Sequence, residues 1–148
     1  GVPVDDRADG TLAVPFADGL LDRLAADLAA ALSETELLGT RALLLPAGRG
    51  PTLTDFMATQ PLATLLAGVR FRWLDDVLAH DRLVTHFQPI VSTADPAAVF
   101  AYECLVRGVG ADGALIPPGQ LFAAARASDR LFPLDRQARL TAIRGAVR

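Results

Sequence analysis

From Val99 to Arg107 the even positions Phe100, Tyr102, Cys104 and Val106 are apolar or aromatic, whereas the odd positions run Val99, Ala101, Glu103, Leu105 and Arg107. A strand sends successive side chains to opposite faces and rises about 3.3 Å per residue, so Glu103, Leu105 and Arg107 share one face at spacings of about 7 Å. This asymmetry constrains the fold more than any other feature. The apolar face demands a cover of other elements, and the graded face carries two opposite charges that need water, a ligand or each other's neighbours. Alternation alone leaves two readings open: an edge strand with solvated Glu103 and Arg107, or a barrel wall with helices outside and a site at its C-terminal rim.

The segments on either side supply the partners for such a strand. Val84 to Val91 reads as a second strand, separated from the first by the turn-rich stretch Ser92 to Pro96. Before Arg82 the period is helical. Leu20, Leu21, Leu24, Leu28 and Leu32 mark a helix ending near Ser33, and Leu62, Leu65, Leu66, Val69, Trp73 and Val77 mark a single helix running to about His80. Arg41 to Leu45 reads as a short strand between them, and Thr52 as the N-cap of a short turn. After the strands, Pro118 suits a helix start with Leu121, Phe122 and Ala125 inward, to about Ser128, and Leu131 to Val147 carries Leu134, Ala138, Thr141 and Ala142 on one face of a last helix. The expected class is α/β, with a tail at 1–14, a helix-strand-helix segment at 15–68 whose role the sequence does not fix (packing, or a regulatory or dimerising part), and the strand-bearing part at 69–148.

Charge and composition narrow the chemistry. The 148 residues include 14 basic and 17 acidic side chains, a formal net charge of −3, which argues against a nucleic acid polymer as partner. One cysteine, Cys104, makes no internal disulfide, and no apolar run is long enough for a membrane segment, so a reducing cytoplasm is the expected setting. All 14 basic side chains are arginine, and asparagine is also missing, so any mechanism that needs Lys or Asn lies outside this chain's means.

Two further patterns invite chemical readings. The loop Pro46-Ala47-Gly48-Arg49-Gly50 contains glycines but not the lysine or spacing of a phosphate-binding loop, and reads as a turn. Asp75, Asp76 and His80 lie near a helix end, where 76 and 80 are one turn apart. Adjacent positions on a helix point in different directions, which favours a solvated helix end over a metal site.

Four successive motifs resemble one family. His86-Phe87-Gln88-Pro89-Ile90-Val91 is similar to the Y/F-Q-P-I-V opening strand of the EAL domain, and Glu103-Cys104-Leu105-Val106-Arg107 to its E-A-L-x-R signature, with Cys for Ala. Leu115-Ile116-Pro117-Pro118-Gly119-Gln120-Leu121-Phe122 is similar to its I-S-P-x-x-F-I segment, and Leu131-Phe132-Pro133-Leu134-Asp135 to the l-i-x-x-L-D motif that opens its next helix.

The resemblance implies a bacterial second-messenger module that hydrolyses cyclic di-GMP to the linear dinucleotide pGpG. Its fold is a modified TIM barrel whose first strand runs antiparallel to the rest; the matched motifs correspond to the N-terminal third, so an incomplete barrel with the first two strands and first helices is expected. Carried over by motif, Glu103 implies a ligand of Mg²⁺ or Mn²⁺, Arg107 a phosphate contact, Gln88 and Leu105 a lining of the nucleotide pocket, and Asp135 a contact to guanine. A hard cation prefers carboxylate oxygen, and a guanidinium forks onto phosphate oxygens, so these types suit those roles. The family's Asn, Asp-Asp, Lys and later carboxylate motifs have no counterpart here, so no catalytic set is complete and the chain alone is expected to be inactive. The alternative is a degenerate or truncated module that binds nucleotide or protein. Uncovered strand edges would also favour a homodimer.

Overall fold

A computed structural model describes residues 5–6, 11–17, 19–46 and 48–147, and the chain divides into two compact units, Gly1–Arg70 and Phe71–Arg148. In the first unit, β1 (Asp5–Asp6) pairs antiparallel with β2 (Leu12–Ala13). Two-residue strands are too short to leave a period, which is why this stretch reads as a tail in the sequence.

Helix α1 (Leu21–Ala31) is followed by α2 (Glu34–Gly39), β3 (Arg41–Ala42), α3 (Leu53–Met57), β4 (Gln60–Pro61) and α4 (Leu62–Arg70). This is more than the helix-strand-helix order expected from the hydrophobic pattern. The additional short helices are fixed by caps rather than by a stripe. Ser33 and Glu36 form a reciprocal capping box, the Ser33 amide donating to the Glu36 carboxylate at 2.8 Å. Thr52 and Asp55 repeat the device, and Arg49 forks onto Asp55 at 2.8 and 2.9 Å. Arg49 and the Thr52 donors hold the Asp55 carboxyl well below the usual carboxylate range.

The strand expected over Arg41 to Leu45 is only Arg41–Ala42, paired antiparallel with Gln60–Pro61. Pro61 has no N–H to offer a longer ladder. The core of this unit joins Ala25 of α1 to Leu62, Leu65, Leu66 and Val69 of α4, with Leu21, Leu28, Leu32 and Leu37 packed against it.

The single helix expected to run to His80 is interrupted at Phe71, whose φ of −105° and ψ of 25° leave the helical range. Val69 belongs to the core of the first unit and Phe71 packs against that of the second, so one apparent stripe serves two cores. In the second unit α5 (Arg72–Ala79) leads to β5 (Leu83–Val91), β6 (Val99–Val109) and β7 (Leu115–Ile116), then to α6 (Pro118–Ala127) and α7 (Leu131–Ala146). The three strands form an antiparallel meander in the order β5-β6-β7.

The register pairs Leu83 with Gly108, Val84 with Arg107, Thr85 with Val106, His86 with Leu105, Phe87 with Cys104, Gln88 with Glu103 and Pro89 with Tyr102. Opposed residues in an antiparallel pair share a face, which assigns every side chain of this ribbon to one side or the other. Leu83, Thr85, Phe87, Cys104 and Val106 lie on the side that α6 and α7 cover. There Leu83 is buried with Leu74, Val77, Leu121, Ala124, Ala125 and Leu134, and Val106, Ile116 and Phe122 pack around them. Leu74, Leu121 and Leu134 have no exposure at all.

Two glycines permit this cover. A Cβ at Gly108 would lie 3.0 Å from Leu121 Cδ2 and 3.2 Å from Ile116 Cβ, and one at Gly145 would lie 3.1 Å from the Phe87 ring. The turn into β5 is closed by Asp81, which takes a positive φ of 53° at the end of α5. The Arg82 amide then donates to Val77 O at 2.9 Å, closing the helix end. Gln137 and Arg144 of α7 donate to the Asp81 carboxylate at 2.7 and 2.9 Å, tying the last helix to this turn.

Candidate functional site

The uncovered side of the ribbon is a grid of two strands and three rows. Gln88 faces Glu103, His86 faces Leu105, and Val84 faces Arg107. Because the strands run antiparallel, the order Gln88, His86, Val84 along β5 meets Glu103, Leu105, Arg107 along β6 row by row. None of these six belongs to the core of the unit. His86, Gln88 and Glu103 are exposed, and Val84, Leu105 and Arg107 are half-buried.

The polar side chains on this side differ in their bonding from four acids on the helices and turn of the unit, Asp75, Asp76, Asp81 and Asp135. Asp75 receives Arg130 Nε at 2.7 Å, Asp76 is paired with Arg82 and lies 3.0 Å from His80 Nδ1, and Asp135 is paired with Arg139. Arg107, by contrast, donates only to the neighbouring carbonyl of Val106, at 2.8 Å, and His86, Gln88 and Glu103 have no hydrogen-bond or ion-pair partner among the described residues. Glu103 and Arg107 stand four residues apart on one face, about 13 Å at strand rise, and do not pair with each other. The row of Leu105 keeps the two charges separate.

Asp135 is placed differently. It lies in the first turns of α7, half-buried, in a cleft it shares with Thr85, Cys104, Leu105, Phe122 and Ala138. That cleft also includes Val106, so the structure places Asp135 with covered-side residues of the ribbon and near Leu105, not in the grid with Gln88, Glu103 and Arg107. Cys104 points to the covered side with Phe87, as its register requires. Asp75, Asp76 and His80, considered in the sequence as a metal site, are engaged with arginines and with one another at the helix end.

His86 is the member of the face that its sequence motif does not single out. The signal available was the alternation itself, since 86 and 88 have the same parity on one strand.

The residues present do not by themselves make a metal centre. Among the described residues no three His, Cys, Asp or Glu side chains converge, and Glu103 is the one carboxylate of the grid. A divalent cation such as Mg²⁺ takes about six oxygen ligands, so Glu103 can supply only part of a set. What the face can do alone is present a carboxylate, a carboxamide, an imidazole and a guanidinium in fixed order along a flat surface. Among the described residues no helix is long and apolar enough to cross a membrane.

No curated protein matches the chain. A family model described as the EAL domain matches residues 72–148, which is more than half of the chain and begins one residue after Phe71. The chain therefore belongs to the EAL domain family, the family of cyclic di-GMP phosphodiesterases, and the strand face bearing Glu103 and Arg107 lies within the matched residues.

Proposed function

We propose that residues 69–148 are part of a cyclic di-GMP phosphodiesterase barrel and that the uncovered side of β5 and β6 is its share of the nucleotide site. The observation that carries this reading is the set of polar groups at Gln88, Glu103 and Arg107, aligned on one side of the ribbon and left without side-chain partners. Asp75, Asp76, Asp81 and Asp135 of the same unit are each matched to an arginine, whereas Glu103 shares its face with an Arg107 equally unpaired among the described residues, the kind of arrangement a ligand-binding surface needs.

In this reading Arg107 clamps a phosphodiester oxygen through paired N–H donors, and Gln88 and Leu105 border the nucleotide. Glu103 contributes one carboxylate to a Mg²⁺ or Mn²⁺ site whose other ligands come from other strands of the barrel. Asp135, in the cleft on the helix-covered side, would contact a guanine only from outside the grid. Two-metal hydrolysis needs cations about 3.5–4 Å apart held by several carboxylates. The 148-residue chain offers one on this face, so it is inactive by itself.

The test is to measure conversion of cyclic di-GMP to pGpG by a protein carrying the complete domain, beside the 148-residue chain, with Mg²⁺ or Mn²⁺ added. Turnover by the first and none by the second is expected. Tight nucleotide binding with no turnover by the complete domain would replace this reading with that of a binding module.

A further inference from the structure

The centre of the open face is neither of its charged rows. Glu103 and Arg107 stand about 13 Å apart along β6, and the row between them is His86 opposite Leu105. Any one ligand that touches both Glu103 and Arg107 has to lie across that row. The row itself is an apolar side chain beside a planar ring: Leu105 is half-buried, and His86 is exposed with no partner among the described residues.

We propose that His86 and Leu105 together form a seat for a purine base, with the His86 imidazole stacked on the base between the phosphate-holding Arg107 and the Gln88/Glu103 row. This rests on the cyclic di-GMP reading above and adds to it a specificity-determining residue. The chemistry of the row favours a base over a phosphate. A phosphate placed against Leu105 would lose water without gaining a charge, while the guanidinium of Arg107 waits one row away. A flat, polarisable base loses little by drying against Leu105 and gains a parallel ring from His86. Stacking of a base on a planar side chain accepts any orientation of its edge, so the seat reads planarity, and the neighbouring Gln88 amide is within reach of a base edge about 7 Å along the strand.

The experiment is equilibrium binding of a hydrolysis-resistant phosphorothioate analogue of cyclic di-GMP to the complete domain with Mg²⁺. The variants are His86→Ala, His86→Phe, His86→Gln and Arg107→Ala. Stacking predicts that His86→Ala raises Kd about tenfold or more. His86→Phe, which restores a ring, should stay within about threefold of the unaltered protein, and His86→Gln, which restores only polarity, should resemble His86→Ala. Melting temperatures should not change, because His86 is exposed.

Wild-type affinity in His86→Ala or His86→Gln, beside a weakened Arg107→Ala, overturns the base seat and leaves the phosphodiesterase reading standing. No binding by the unaltered domain, or no loss in Arg107→Ala, overturns that reading and the seat with it. If His86→Ala fails to fold, the contrast between His86→Phe and His86→Gln decides, and equal affinity of the two overturns the proposal.

Discussion

The two sides of the β5–β6 ribbon are built from the same twenty residues of chain and do opposite work. On one side Leu83 is buried and Thr85 and Val106 are half-buried under α6 and α7, against Leu121 and Leu134 that have no exposure. On the other, His86, Gln88, Glu103 and Arg107 keep their polar groups unspent by side-chain pairing. The contrast teaches that register here is a functional quantity. A slip of one residue in β6 would exchange its sides, turning Glu103 toward the helices and Val106 to the open side.

The comparison breaks most decisively at Glu103. Glu103→Gln removes a charge at nearly constant shape, so hydrolysis by the complete domain should fall to the no-enzyme baseline with Mg²⁺ or Mn²⁺ present, while the thermal midpoint stays put. Undiminished turnover would remove Glu103 from the metal site. On the covered side the currency is stability. Leu134→Ala should cost about 2–5 kcal/mol in urea unfolding, because a side chain with no exposure leaves a cavity. A loss well under 1 kcal/mol would mean that the α7 cover is loosely packed.

Arg107→Ala should weaken binding of cyclic di-GMP by the equivalent of about 1.5–3 kcal/mol, the usual worth of hydrogen bonds to a charged group, and alter unfolding little. Equal affinity with lowered stability would transfer Arg107 from the open side to a structural role. The smallest effect is expected at Thr85. Its Oγ1 is buried without a partner although its register places it on the covered side beside Val106. Thr85→Val should therefore raise stability by about 1 kcal/mol, by removing an unsatisfied hydroxyl. If unfolding curves show a loss instead, the hydroxyl is hydrogen-bonded to water in solution.

Much of the second unit was legible because it obeys simple periods. The alternation from Val99 to Arg107 separates Glu103, Leu105 and Arg107 from Cys104 and Val106 without any structure, and Pro118 marks the start of α6 where the helix begins. The EAL resemblance, carried by four motifs from His86 to Asp135, is met by a family match over residues 72–148. The first unit was less legible. The capping boxes at Ser33/Glu36 and Thr52/Asp55 are local signals with no hydrophobic stripe behind them, so α2 and α3 leave no period in the sequence.

Phe71 shows the limit of periodicity. Leu62 to Val77 is consistent with one amphipathic helix, yet the chain leaves helical geometry at Phe71 because residues on either side of it serve different cores. A period reports which positions are buried, not against what. β7 escaped for a related reason: Leu115 and Ile116 become a strand only by pairing with Val109 and Gly108, where the absence of a Cβ lets β6 approach Leu121 and Ile116.

By itself, then, the sequence determined which side chains share a face within each strand, since parity on a strand is a covalent consequence of backbone geometry. It also carried the motifs that identify the family. Only the tertiary structure decided which face of the ribbon the helices cover, that Gln88 stands opposite Glu103 and His86 opposite Leu105, and that Asp135 lies in a cleft with covered-side residues and not within the grid. These depend on pairing register and helix packing between residues distant in the chain, and no local pattern encodes a distance between two strands.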